Sequence, residues 1–109
     1  MTPTLAAGQL GTRVAIQIAT ETRDDQGGFA EQWATLRTRW AKVEPLQGRE
    51  LLAAQQIEAR VTHRVTLRYF AGLTPGHRFL VGTRVLAIVN VLDLEEYHVV
   101  HQCLCMEVV

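Results

Sequence analysis

Hydrophobic and polar residues alternate along much of this chain, which is the pattern of β-strands with one buried face. In residues 13–20, Val14, Ile16 and Ile18 alternate with smaller or polar residues. The clearest strand covers residues 61–70. Its apolar face consists of Val61, Val65, Leu67 and Tyr69, with His63 among them.

Residues 27–43 hold both tryptophans in a strand-length run behind the turn at 24–28, whose glycines supply the positive φ that such turns need. Trp33 and Trp40 are an odd number of positions apart, so strict alternation places them on opposite faces. A β-bulge near residues 34–35 would return both to the core. In the alternative interpretation, one tryptophan faces a partner subunit. We expect both in the core.

Glu44-Pro45 ends this second strand, because proline has no N–H for the ladder. Residues 48–60 are rich in helix formers but lack one sharp apolar stripe, which predicts a short helix or a long loop. A segment that becomes ordered only on assembly is the alternative. The next strands are predicted at 78–81, 84–92 and 97–109. The strand at 84–92 is apolar on both faces, as in a central strand or one facing a partner.

These patterns predict a mainly β chain of about six strands with one short helix or long loop at about 48–60. At 109 residues, the chain has the length of one domain. We expect an N-terminal arm at residues 1–12 and a single domain at 13–109. The arm lacks the basic and apolar regions of a secretory signal, and no apolar run approaches the roughly 20 residues of a membrane span.

Composition excludes several classes of chemistry. The formal net charge is zero, so overall charge gives no reason to expect nucleic acid or a membrane as partner. The chain contains no serine, and its carboxylates are scattered or lie as adjacent, diverging pairs in turns. Cys103 and Cys105 are the only cysteines, so no disulfide framework is available. We therefore predict no catalytic residues and no enzyme.

The one set with metal-ligating residue types is His101, Cys103, Cys105 and Glu107. Alternate residues on one strand lie about 6.5–7 Å apart, so four donors in a line cannot converge on a tetrahedral zinc. We predict no metal and no cofactor, and we interpret the cysteines as reduced, small apolar residues. A metal-dependent enzyme using His101 and the cysteines is a distant alternative.

Two sets of residues are assigned to roles from these patterns. The predicted structural core is Ile16, Ile18, Trp33, Trp40, Val65, Leu67, Tyr69, Ile88 and Leu104. The predicted subunit or partner interface is Arg37, Arg39, Arg49, Glu50, Leu51, Leu52, Ile57, Arg64 and Arg68. The arginine face of the strand at 61–70 lacks the interleaved aromatics that stack on bases, which favours a protein interface there.

Five short stretches, taken in order, carry a resemblance to a known family. They are Leu-Gly-Thr-Arg-Val-Ala-Ile-Gln at 10–17; Asp-Gln-Gly-Gly at 25–28 followed by Glu-Gln-Trp at 31–33; Trp-Ala-Lys-Val-Glu-Pro at 40–45 followed by Gly-Arg-Glu at 48–50; Val-Thr-Leu-Arg-Tyr at 65–69; and the Gly82 turn with the apolar strand that follows it to 91. In this order and spacing, residues 10–108 resemble the phage head–tail joining family. Two departures are Val85 or Leu86 where an aromatic is common, and Asp93-Leu94-Glu95-Glu96 where the family usually has an arginine in the turn.

The resemblance implies a small antiparallel β-barrel or sandwich with one helix or long loop. It implies a structural head–tail connector component of a tailed phage or prophage: a ring below the portal that closes the DNA-filled head and joins the tail. Implied partners are the portal or adaptor ring, tail proteins and further copies of the chain. Genomic DNA would pass through the channel without sequence-specific binding, and no membrane is involved.

The implied location is the virion, after assembly in the host cytoplasm. Residues 44–60 would be the moving or inter-subunit part of such a ring. The alternative function is a small β-barrel module that binds nucleic acid or a peptide through the face carrying Arg64 and Arg68.

Overall fold

The computed structural model describes residues 10–23, 25 and 27–108 of the chain. The described strands are β1 (Thr12–Arg23), β2 (Phe29–Pro45), β3 (His63–Arg68), β4 (His77–Val81), β5 (Arg84–Asp93) and β6 (Val100–Val108). One α-helix, α1 (Gly48–Ile57), lies between β2 and β3, and a short 3-10 helix, Leu94–Glu96, precedes β6.

The six strands close into an antiparallel barrel in the order β1-β2-β3-β6-β5-β4, with β4 pairing back onto β1. A mainly β fold with one helix, and the barrel that the family resemblance implied, are therefore confirmed. The tightest connection described is the Gly82-Thr83 turn between β4 and β5, where Gly82 has a φ of +62°. Glycine suits that backbone because it carries no Cβ.

Several element boundaries differ from the predicted ones. Strands β1 and β2 are longer than predicted, because their hairpin continues beyond the barrel. The helix ends at Ile57 rather than near residue 60, since the N–H of Val61 donates to the carbonyl of Glu58 in a turn. That turn also delays the start of β3 to His63.

Most of the predicted N-terminal arm, residues 1–9, lies outside the described residues. Of the remainder, Leu10 is buried and Thr12 already belongs to β1.

The main core fills the barrel interior with one or two inward-facing side chains from each strand. It consists of Val14, Ile16, Ala41, Val65, Leu67, Leu73, Phe79, Leu86, Ile88, Cys103 and Cys105. The predicted core residues Ile16, Val65, Leu67 and Ile88 lie here. Both cysteines are free thiols with no exposed surface; Cys103 pairs with Val65 and Cys105 with His63 on β3.

A second, smaller cluster lies on the outside of the barrel beneath α1. Its buried members are Leu46, Ala54 and Val61, with Leu51, Val89 and Leu104 packed against them. Leu104, which was predicted for the main core, belongs to this outer cluster, because β6 turns His101, Cys103 and Cys105 inward instead. Ala54 is the single buried residue of α1, so a small contact area holds the helix to the barrel.

The β1–β2 ladder contains a β-bulge. Ile16 pairs with Arg37 and Gln17 pairs with Thr35, so Leu36 is the extra residue. The bulge brings Trp33 and Trp40 to the same face, as a bulge was expected to do, but that face is the outer one.

The prediction that Trp40 packs in the core is therefore wrong: its side chain is 51% exposed. The physical reason is the strand register: Trp40 pairs with Arg13 on the outer face, and its neighbour Ala41 points into the barrel instead. Trp33 is half-buried on the outer surface, where the guanidinium of Arg78 stacks 4.0 Å from its ring. Tyr69 and Ile18 are also half-buried rather than fully enclosed.

Candidate interaction surfaces

The β1–β2 hairpin projects from the barrel as an arm. Residues 29–40 of β2 pair with β1, and within the described residues no other strand pairs with them. The molecule measures 53 × 27 × 25 Å, so it is about twice as long as it is wide. An unpaired strand edge of this length is a surface that proteins normally cover.

Arg37 and Arg39 stand on the face of the hairpin that continues the barrel interior, because they pair with Ile16 and Val14, whose side chains point inward. Both arginines are exposed. The guanidinium of Arg39 lies 5.6 Å from the ring of Phe70, which packs at the edge of the core. These two residues, predicted as interface, therefore lie above the barrel end from which the hairpin emerges.

The opposite, outer face of the same region carries an aromatic–arginine pair. The guanidinium of Arg13 lies over the ring of Trp40 at 5.2 Å. Tryptophan and arginine are the residue types that most often dominate protein interfaces. We call this surface the Trp40 patch, which consists of Arg13 and Trp40. It lies where β1 and β2 leave the barrel.

Helix α1 presents four of the predicted interface residues to solvent: Arg49, Glu50, Leu52 and Ile57. Leu52 is 64% and Ile57 67% exposed, which is unusual for large apolar side chains on one short helix. Leu51 instead packs into the outer cluster. The helix therefore buries one narrow stripe and leaves another uncovered.

A groove runs along the outer barrel wall beside the end of α1. Its volume is about 290 Å³, and its lining residues are Ile57, Arg64, Asn90, Leu92, Gln102 and Leu104. Leu92 is 54% exposed at its rim. We call this surface the α1 groove, which is apolar along Ile57, Leu92 and Leu104.

Arg64 forms ion pairs within the chain. Its guanidinium lies 3.4 Å from Glu44 and 3.6 Å from Glu50, so it links β3 to β2 and to α1. Lys42 lies 3.5 Å from the second oxygen of Glu44. Two carboxylates already balance Arg64, which therefore offers a phosphate little net positive charge. Arg68 is exposed about 13 Å farther along β3, at the spacing of a strand.

The histidines have structural partners. His101 is buried, and its Nδ1 accepts a hydrogen bond from the N–H of Phe70 at 3.2 Å. Burial lowers the pKa of His101. Burial also lowers the pKa of His63, assisted by the neighbouring Arg84. Arg84 in turn forms a 2.6 Å ion pair with Glu107, and hydrogen bonding within that pair lowers the pKa of the carboxylate.

The buried thiols are poor nucleophiles. Burial raises the pKa of Cys103 to about 12 and raises the pKa of Cys105 further, so almost no thiolate forms near neutral pH. Among the described residues, no three His, Cys, Asp or Glu side chains are close enough together to hold a metal ion. Nor is any described helix long and apolar enough to cross a membrane.

The loop between β5 and β6 holds a feature that the sequence did not reveal. Glu95, Glu96 and His98 all have positive φ values, of 55°, 59° and 58°. The loop is pinned by Asp93, whose carboxylate accepts the N–H of His98 at 3.0 Å and lies 2.6 Å from its Nδ1. Sequence indicated only a polar turn here, because glutamate has no preference for this backbone region. The loop holds Glu95 and Glu96 exposed at the barrel end.

Residues 5–108 match the family model described as phage head completion protein. The chain also resembles a solved solution structure, protein SF1141 from Shigella flexneri 2a, at 29% identity and a TM-score of 0.75, over 94% of this chain and 96% of that one. It shares the fold of a chain in the virion of a native gene transfer agent particle, at 21% identity and a TM-score of 0.60, over 92% and 96% of the two chains. No curated protein matches.

Proposed function

We propose that this chain, which belongs to the phage head completion protein family, assembles into a ring below the portal that closes the DNA-filled head and receives the tail. Membership of that family makes it a structural component of the virion at the head–tail connector, in contact with other head and tail proteins. The observation that carries the proposal is the family match across residues 5–108. The ring, its place below the portal and its assembly in the host cytoplasm are the proposed parts.

Uncovered apolar surface supports self-association. Leu36, Trp40, Leu52, Ile57 and Leu92 are each more than 40% exposed in the single chain. Large apolar side chains left in water are stabilised when another protein covers them. A ring of copies, bounded by the portal above and the tail below, would remove this surface from water.

DNA would pass through the ring without sequence-specific contacts. The formal net charge is zero, so the chain as a whole does not attract a polyanion. Arg64 is balanced by two carboxylates, which argues against the alternative of a nucleic-acid-binding module on that face. Within this proposal, Arg37, Arg39 and Arg68 serve contacts with neighbouring proteins rather than base recognition.

The segment from Glu44 to Arg60 is proposed as the part that moves or reorders on assembly. It includes α1, which is attached to the barrel through Ala54 and a few partly buried neighbours. A weakly attached element can change its packing at low free-energy cost.

The direct test is to produce particles without this protein and to restore it from a plasmid. Without the protein, we expect heads to package DNA, to lose it afterwards and to carry no tails. Restoring the intact chain is expected to restore tailed particles. Tailed, DNA-retaining particles formed in its absence would overturn the proposed function. A variant with a destabilised core, Leu67→Ala, serves as a control for loss by misfolding.

A further inference from the structure

The Trp40 patch and the α1 groove lie on opposite sides of the barrel. Around the closed barrel, the strands follow the order β1-β2-β3-β6-β5-β4. The Trp40 patch spans β1 and β2, and the α1 groove lies along β3, β6 and β5, so its central strand, β6, is three strand positions from β1 and two from β2. One chain therefore cannot bring Trp40 into its own groove.

The two surfaces are complementary in character. The Trp40 patch is a large exposed aromatic ring with a cation, Arg13, over one face. The α1 groove is a concave surface with the exposed apolar side chains of Ile57 and Leu92. Directly after Leu92, the chain enters the acidic β5–β6 loop, whose Glu95 and Glu96 are exposed. A convex aromatic and basic surface thus has a concave apolar counterpart with an acidic edge.

We propose that the Trp40 patch of one copy docks into the α1 groove of the next copy, with Trp40 against Ile57 and Leu92 and Arg13 near the acidic loop. The occupant of the groove is therefore a second copy of this chain. This inference rests on the proposed ring and assigns the surfaces that build it.

The geometry of the two surfaces gives the contact a definite symmetry. Each copy uses a different surface toward each of its two neighbours, which makes the interface heterologous, so successive copies build a ring or a filament rather than a two-fold dimer. The tilt between successive copies determines whether they close into a ring, and the portal would fix that tilt.

Disulfide cross-linking tests the pairing directly. Thr38→Cys places a thiol on the exposed face beside Trp40, and Asn90→Cys places one in the α1 groove. The native Cys103 and Cys105 are buried and need not be removed. On the portal-bound protein, the doubly substituted chain is expected to form an oxidative ladder of covalent multimers. An equimolar mixture of the two single variants is expected to give dimers.

The controls separate this contact from other arrangements. Neither single variant alone is expected to cross-link, because a heterologous contact never brings two identical positions together. Thr83→Cys, at the turn on the far end of the barrel, is expected to give no product with Thr38→Cys. Cross-linking within a single-variant sample, or none in the mixture while the protein still joins the portal, would overturn the pairing and leave the proposed function intact. Failure to join the portal would count against both.

A substitution at the centre of the contact gives a second, independent readout. Trp40→Ala is expected to weaken self-association on the portal by about tenfold or more, as for a buried interface tryptophan. Val108→Ala is the matched control, because Val108 is 48% exposed but lies away from both surfaces. Equal effects of the two substitutions on association, with both chains folded, would overturn the assignment of Trp40.

Discussion

At the scale of single residues, burial separates two roles of the apolar side chains. Leu67 has no exposed surface in the barrel core, whereas Leu52 is 64% exposed on α1. The two leucines are chemically identical, so any difference between them on truncation comes from their surroundings. Buried residues such as Leu67 stabilise the barrel, and exposed apolar residues such as Leu52 are available for contact with another protein.

Truncating these two leucines tests that separation. Leu67→Ala is expected to lower the free energy of unfolding by about 2–5 kcal/mol, from lost burial and an unfilled cavity. Leu52→Ala is expected to change it by less than about 0.5 kcal/mol, since the side chain is already in water. Urea unfolding followed by tryptophan fluorescence measures both. Similar losses for the two variants would show that Leu52 is buried in the free chain.

The buried thiols predict slow chemical labelling. With the pKa of Cys103 raised to about 12 by burial, roughly one thiol in ten thousand is ionised at pH 8. An alkylating reagent such as iodoacetamide is therefore expected to label neither cysteine in the folded chain within minutes, and to label both in 8 M urea. Rapid labelling under native conditions would contradict the placement of Cys103 and Cys105 inside the barrel.

His101 predicts a loss of stability in mild acid. Its pKa is lowered in the folded chain, so protons bind the unfolded chain more readily as pH falls through the ordinary histidine range near 6.5. Its Nδ1 also accepts the Phe70 N–H, which a protonated ring cannot do. The free energy of unfolding is thus expected to be highest above pH 7 and to fall as the pH is lowered toward 5.5.

A non-titrating substitution identifies the group responsible. His101→Gln retains a neutral acceptor and is expected to flatten this pH dependence, with His63 contributing the remainder because its pKa is also lowered. Measurement by urea unfolding at several pH values above 5 avoids most carboxylate titration. Unchanged pH dependence in the variant would exclude His101 as the source.

At the scale of elements, α1 and the β1–β2 hairpin differ from the rest of the barrel in how little of them is buried. The helix has one buried residue, and its N-cap residue, Gln47, makes no side-chain capping hydrogen bond. Within the described residues, β2 pairs only with β1 over residues 29–40. Both elements would gain stability from a neighbouring protein that covers them.

Hydrogen exchange tests the mobility of α1 and its flanks. In the free chain, amides of residues 44–60 are expected to exchange much faster than those of β3 and β6, and to slow markedly in the portal-bound ring. Leu46→Ala removes a buried side chain from the apolar cluster under the helix. It is expected to accelerate amide exchange in α1 and to leave the exchange rates of the barrel strands unchanged. Equal protection of 44–60 in the free and assembled states would show that this segment does not reorder.

The sequence predicted the strands of this fold better than it predicted their faces. Alternation identified the strands at 13–20 and 61–70, and Ile16, Val65 and Leu67 point inward as their periodicity indicated. Trp40 points outward, because it pairs with Arg13 while the adjacent Ala41 takes the inward position. That register is set by the pairing of β1 with β2, which the sequence alone does not give.

The interaction surfaces were predictable only in part. Leu52 and Ile57, which were assigned to an interface from the sequence, are exposed on α1, and their role as interface residues stays a prediction. Arg64 could not be assigned, since its pairing with Glu44 and Glu50 joins residues distant in sequence. The turn after Leu92 was predicted, but the positive φ values at Glu95 and Glu96 were not, because glutamate has no preference for that backbone region.

At the scale of the whole molecule, a neutral barrel with uncovered surfaces on opposite sides is suited to sequential assembly. Zero formal charge gives no long-range repulsion between copies and no general attraction to DNA. The interface that we propose is heterologous, so a partner ring that fixes the number and tilt of the copies determines whether they close. The portal supplies that template in the proposed assembly.

The most direct measurement is the mass of the protein in solution, alone and after mixing with the cognate portal ring, by light scattering coupled to size exclusion. We predict that the free protein is a monomer or small assembly, and that it joins the portal in one fixed stoichiometry to give a single complex. The connector function would be contradicted if the protein did not bind the portal at any concentration and instead bound DNA or RNA with an affinity that falls steeply as salt rises.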